Sequence, residues 1–143
     1  MGRLENKTAI VTGGAGGIGK EAGRLFAAEG ANVLLVDRDG AALQQAVREI
    51  GSSRVASCVA DAESTRDYVR AAVDRFGGID ILLANAGIEG KVLPITECDE
   101  DTFDRVIAVN VRGAARMSPY ITSKHAVVGL MKPAALEGAP LQL

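Results

Sequence analysis

Ala9-Ile10-Val11-Thr12-Gly13-Gly14-Ala15-Gly16-Gly17-Ile18-Gly19-Lys20 runs a short apolar stretch into five glycines and then into a helical pattern. Such a run reads as a buried strand, a tight turn and the first turn of a helix. Glycines let the backbone approach an anion that any Cβ would hold off. The helix adds unpaired N–H groups and the positive end of its dipole. The ligand suited to that cradle is the pyrophosphate of a dinucleotide, with an ordinary glycine turn as the alternative.

Working outward, strand and helix patterns alternate without a linker or repeat. Lys7–Val11 is the first strand, and Ile18, Ala22, Leu25 and Phe26 recur at helical spacing up to Glu29 before Gly30. Asn32–Val36 is a second strand ending at Asp37, and Leu43, Ala46, Val47 and Ile50 mark a helix closed by Gly51. Arg54–Val59 is a third strand with Asp61 just beyond it. Val69, Ala72, Val73 and Phe76 mark a helix closed by Gly77-Gly78, and Ile79–Ala84 is a fourth strand leading into Asn85-Ala86-Gly87. Short connections between alternating elements imply parallel strands joined by right-handed crossovers. The fold class is therefore α/β, a doubly wound Rossmann-like sheet of order 3-2-1-4 with its ligand at the carboxyl ends of the strands. After Pro94 a helix begins near Asp101 or Thr102 and carries Asn110. A last helix runs from about Pro119 with Tyr120 and Lys124, and Pro133 kinks or ends it.

Composition fits this reading. The 143 residues suit one domain, 1–143; 48% are apolar and only 3% aromatic, so the core is built of Val, Ile, Leu and Ala in strands covered by helices on both faces. A net charge of −2 without a basic stripe argues against nucleic acid. The N-terminus MGRLENKTAI has no apolar signal core, and no run reaches membrane-spanning length. Asn6 stands where a myristoylation signal needs Ser or Thr. Cys58 and Cys98 are distant from each other and from His125, which reads as two reduced thiols rather than a metal site. A cytoplasmic location follows.

Further residues carry chemistry. Asp37 stands 18 positions beyond Gly19, where a carboxylate accepts both adenosine ribose hydroxyls and repels a 2′-phosphate. This favours NAD over NADP, with the adjacent Arg38 pulling the other way. The alternative role of Asp37 is to cap the next helix. Asp61 suits the adenine amino group or, equally, a helix N-cap. The small residues of Asn85-Ala86-Gly87 let a cofactor lie against the backbone, or Asn85 ties neighbouring strand ends together. Tyr120 and Lys124 are four apart, on one helix face. A phenol ordinarily ionises near pH ~10, and a lysine ammonium one turn away favours the phenolate, making a general base at neutral pH. The alternative is a solvated surface pair.

Together, Thr12-Gly13-x-x-x-Gly17-x-Gly19, Asp37, Asp61, Asn85-Ala86-Gly87, Val109-Asn110-Val111 and Tyr120-x-x-x-Lys124 resemble the short-chain dehydrogenase/reductase family, classical type, from about residue 4 to 140. The resemblance implies an NAD-dependent oxidoreductase that moves a hydride between an alcohol or ketone substrate and the nicotinamide. Gly13, Gly17, Ile18 and Gly19 would hold the pyrophosphate, with Thr12 also among the cofactor-binding residues, Asp37 would take the ribose and Asp61 the adenine. Asn85, Ala86 and Gly87 would border the cofactor. Tyr120 would be the general acid/base, Lys124 its ribose-binding partner and Asn110 the holder of a relay water. It also implies a homo-oligomer through the two C-terminal helices.

Two departures stand out. The family places a fifth strand, with a catalytic serine near its end, between the Asn helix and the Tyr helix, yet Asn110 and Tyr120 are ten apart. The intervening elements need about 30 residues more. Ser118, two residues before Tyr120, is not that serine. The chain also reaches Leu143 before the sixth and seventh strands. The expectation is a family domain with an internal deletion and a C-terminal truncation. The alternative function is a non-catalytic dinucleotide-binding or dimerisation module.

Overall fold

The computed structural model describes residues 2–91, 93–97, 99–112 and 129. They fall into two compact units, Met1–Gly87 and Ile88–Leu143.

The first unit is the alternating α/β pattern. Its strands are β1 (Thr8–Thr12), β2 (Asn32–Asp37), β3 (Val55–Val59) and β4 (Ile81–Leu83), all parallel in the order β3-β2-β1-β4. Its helices are α1 (Gly17–Ala28), α2 (Gly40–Ile50) and α3 (Thr65–Phe76). Side chains alternate across the sheet. Val11, Val33, Leu35 and Val55 pack with Ala27 of α1 and with Leu43 and Ala46 of α2 on one face. Ile10, Leu34, Val36 and Ala56 pack with Tyr68 and Ala72 of α3 on the other. The approach of α1 to the sheet is set by Gly23, where a Cβ would come 2.7 Å from Leu35 Cδ2. Gly51 and Gly77, both left-handed, end α2 and α3 where the glycines were expected to stop them.

Three expectations are corrected. β1 and β2 each run one residue further than the apolar pattern, to Thr12 and Asp37, because Thr12 still pairs with Val36, and Asp37 with Val59. β4 is three residues rather than six, since side chains take over the ladder at both ends. The Asp80 carboxylate accepts the Thr8 amide at 2.9 Å, and the Thr12 hydroxyl accepts the Asn85 amide at 3.1 Å. Burial on both faces holds for β1 and for the interior of β2 but not for the outer strands: Leu82 is 48% exposed and Val59 60%. Among the described residues the helix α3 packs mainly over β1 and β2.

In the second unit, a 3-10 turn at Ile95–Glu97 precedes α4 (Glu100–Ile107), which continues into a π-helical segment at Ala108–Arg112. The helix starts at Glu100, just before the expected Asp101 or Thr102. Asp99 caps it, its carboxylate accepting the Thr102 amide at 2.7 Å and the Thr102 hydroxyl at 2.9 Å. The last expected helix, with Tyr120 and Lys124, lies outside the described residues. Among the described residues no helix is long and apolar enough to cross a membrane.

Asp80 joins the starts of β1 and β4. The Thr8 amide, and after it the Lys7 ammonium at 3.1 Å, hold its carboxyl below the usual aspartate range. A depressed folded-state pKa contributes stability that is present above the unfolded value near 3.9 and is lost as pH falls through the folded value. Asp80→Asn should therefore lower Tm at pH 6, and the gap to the parent should narrow as pH falls below the unfolded value. Thermal unfolding across that range checks it; a gap unchanged from pH 6 to pH 2.5 would refute the assignment.

Candidate functional site

The glycine turn is shaped by close contacts as much as by conformation. Gly13 has φ +67°, and a Cβ there would lie 2.9 Å from Asn85 Nδ2 and 3.0 Å from Ala86 Cα. A Cβ on Gly19 would meet the Gly13 carbonyl oxygen. Those two glycines serve the fold itself. Gly17 differs, because none of the described residues lies within 4 Å of the Cβ it lacks at the start of α1. Gly16 is the N-cap residue and offers no side chain, and the first turn of α1 holds no carboxylate. The Gly13 carbonyl accepts the Gly16 amide, and the Gly16 carbonyl accepts that of Lys20. Between them the amides of Gly17, Ile18 and Gly19 have no acceptor among the described residues. Ile18 itself is 77% exposed. Three unpaired N–H groups and a bare wall make a fitting cradle for an anion.

Asp37 is brought to this turn. Its Oδ2 accepts the Ala15 amide at 3.1 Å and its Oδ1 the Asp39 amide at 3.2 Å. The helix-capping alternative for Asp37 falls to its neighbour, since Asp39 accepts the Ala42 amide at 3.0 Å and caps α2. Arg38 is exposed and has no ion pair among the described residues. The Asp37 carbonyl accepts the Ala60 amide at 3.0 Å, which sets Asp61 just beyond the same sheet edge. Asp61 does not cap α3 either. That position is held by Ser64, and the Asp61 carboxylate makes one long contact, 3.4 Å, from the Glu63 amide.

Asn85 ties strand ends together. Its Nδ2 donates to the carbonyls of Thr12 at 3.1 Å and Gly13 at 3.4 Å. The Thr12 hydroxyl accepts the amides of Asn85 and Ala86, both at 3.1 Å. The Thr12 side chain is thus committed to the β1–β4 junction, and Ala86-Gly87 follow directly from it. The half-buried Cys58 thiol is disfavoured as a thiolate. Burial pushes its pKa up, and the Asp67 charge adds to the effect.

In the second unit Asn110 sits within the π-helical segment. Its Oδ1 accepts the Ile88 amide at 2.8 Å, and its Nδ2 donates to the Ile88 carbonyl at 2.9 Å. Both polar groups of the side chain hold one backbone residue. Tyr120 and Lys124 lie outside the described residues.

A protein-family model described as short chain dehydrogenase matches residues 7–119. The chain belongs to that family. Among curated relatives of this short-chain dehydrogenase chain, the uncharacterized oxidoreductase YxbG of Bacillus subtilis is 39% identical over 126 residues, covering 85% of this chain and 46% of its own length. Zerumbone synthase of Zingiber zerumbet is 37% identical, covering 94% of this chain and 64% of the synthase. That alignment runs over 171 positions, more than this chain possesses, so the synthase has residues with no counterpart here. Of solved structures, a glucose/ribitol dehydrogenase from Brucella melitensis superposes with a TM-score of 0.73 at 40% identity, over 78% of this chain and 48% of the other. A 3-ketoacyl-(acyl-carrier-protein) reductase from the same organism, complexed with NADH, gives 0.71 at 37% identity over 85% and 49%. The chain spans about half the length of most of these proteins.

The turn geometry separates two glycines that look alike in sequence. Gly17→Ala should leave Tm unchanged or raise stability by about 0.5–1 kcal/mol, since the methyl meets nothing and a helix favours Ala. Gly19→Ala should destabilise by about 1–3 kcal/mol through its clash with the Gly13 carbonyl. Chemical unfolding of the two variants checks this, and equal destabilisation would contradict the geometry.

Proposed function

We propose that this short-chain dehydrogenase chain binds NAD in preference to NADP and belongs to an oxidoreductase acting on a small alcohol or ketone. The observation that carries the reading is the Asp37 carboxylate fastened to the Ala15 amide, beside three unpaired amides at the start of α1. In this reading the Gly17, Ile18 and Gly19 amides take the pyrophosphate, with Thr12 and Gly13 shaping the turn. Asp37 accepts the ribose hydroxyls through its remaining lone pairs and repels a 2′-phosphate. Asp61 receives the adenine amino group, and Asn85-Ala86-Gly87 form the floor.

The bound nicotinamide supplies the hydride acceptor or donor. Tyr120 exchanges a proton with the substrate oxygen, and Lys124 stabilises its phenolate and holds the ribose. Asn110 has its side chain on Ile88, so a relay water there is left to its backbone. The reading includes a single domain over 1–143, a cytoplasmic location and association of copies through the two C-terminal helices. A second reading is favoured by the residues of zerumbone synthase without counterpart here. In it the chain binds dinucleotide but does not turn over, since losing one oxygen-stabilising donor alone costs about 2.7–4 kcal/mol.

Fluorescence titration of the purified chain should show NADH binding about tenfold or more tighter than NADPH, as a carboxylate facing a phosphate requires. Asp37→Ala should narrow that ratio, and Gly17→Ala should weaken both ligands. Equal affinities in the parent would remove Asp37 from the ribose site. NAD-linked oxidation of secondary alcohols then separates the readings. Turnover abolished by Tyr120→Phe supports the enzyme, while binding with at most trace turnover supports the module.

A further inference from the structure

The second unit contains an open cleft of about 300 Å³ between the Ile88–Lys91 segment and one face of α4. It is lined by Ile88, Gly90, Lys91, Thr102, Arg105 and Val106. Gly90, at φ +76°, lets the segment lie against the helix, for a Cβ there would come 2.8 Å from Val106 Cγ2. Ile88 is fixed on its other side by the Asn110 side chain. The back of the cleft is thus apolar and held in place at two points.

Its charge is the informative part. Six carboxylates lie within residues 88–112, namely Glu89, Glu97, Asp99, Glu100, Asp101 and Asp104. None of them lines the cleft, whereas two cations, Lys91 and Arg105, do. Neither cation forms an ion pair among the described residues. Asp99, which Lys91 faces at longer range, is engaged by the amide and hydroxyl of Thr102. Two of the segment's three cations, both exposed, thus border an apolar hollow.

We propose that this cleft binds a small organic acid, its carboxylate between Lys91 and Arg105 and its apolar body on Ile88 and Val106. The volume sits at the lower end of ligand pockets, roughly 300–1,000 Å³, which suits an acid of modest size. The site uses none of the residues assigned to the dinucleotide, so it stands or falls separately from that assignment.

The test is titration of the isotope-labelled full chain with hexanoate, hexan-1-ol and inorganic phosphate, without cofactor, followed by amide NMR. Hexanoate should shift Ile88, Gly90, Thr102 and Val106 saturably and bind about tenfold more tightly than hexan-1-ol. Lys91→Gln and Arg105→Gln should each weaken it about threefold, and the pair about tenfold, as expected for partly exposed charges. Glu89→Gln, outside the lining, should not weaken it. The proposal is overturned if hexanoate gives no saturable shift, if the alcohol binds equally well, or if phosphate matches hexanoate. Parent-like affinity in the double variant also overturns it. Preserved amide dispersion in the variants excludes unfolding as the cause of a loss.

Discussion

The fold's working end depends on how closely three backbone segments approach at the carboxyl edge of β1. Gly13, Gly19 and the Asn85-Ala86 pair occupy space in which a methyl group on either glycine would meet a carbonyl, an amide or a Cα. The Thr12 hydroxyl and the Asn85 amide group complete the junction, each bonded to the other's backbone. Because these contacts satisfy one another, the first amides of α1 are left without partners and directed outward. A row of unpaired amides is then the by-product of a packing arrangement rather than an addition to it.

Much of the first unit was legible because two periods dominate its sequence. Apolar runs ending in glycine or aspartate place β1 to β3, and the 3.6-residue stripes place α1 to α3 with their glycine stops. The order of the strands follows from short crossovers and the rule on handedness. What could not be read was the work of single polar side chains at strand ends. Asp80 and Thr12 shorten β4 by supplying hydrogen bonds that a ladder would otherwise make. The half-exposure of Leu82 is likewise invisible to pattern, which reports that a residue is apolar but not how fully it is covered.

The candidate site divides along the same line. Residue types announced Asp37 and the glycines, and the structure brings these together. The partner of Asp37 is a backbone amide of Ala15, and no residue type encodes that. Asn85 had two readings in sequence, and its hydrogen bonds make the tie between strand ends, a role that leaves room for a cofactor beside it. Asn110 announces itself by its type alone. Its grip on both backbone groups of Ile88 emerges only when the start of the second unit and its π-helical segment are seen in space.

The latch between Asp37 and the glycine turn couples two properties that are often treated as separable. A neutral or basic residue at this position would loosen any bar to a 2′-phosphate, and it would also release the Ala15 N–H and the Asp39 N–H from their shared acceptor. Any substitution that removes the Asp37 carboxylate therefore leaves the loop less well held in the variant than in the parent. Redesign, or natural drift, at this position has to supply a new acceptor for that loop along with whatever new recognition it brings.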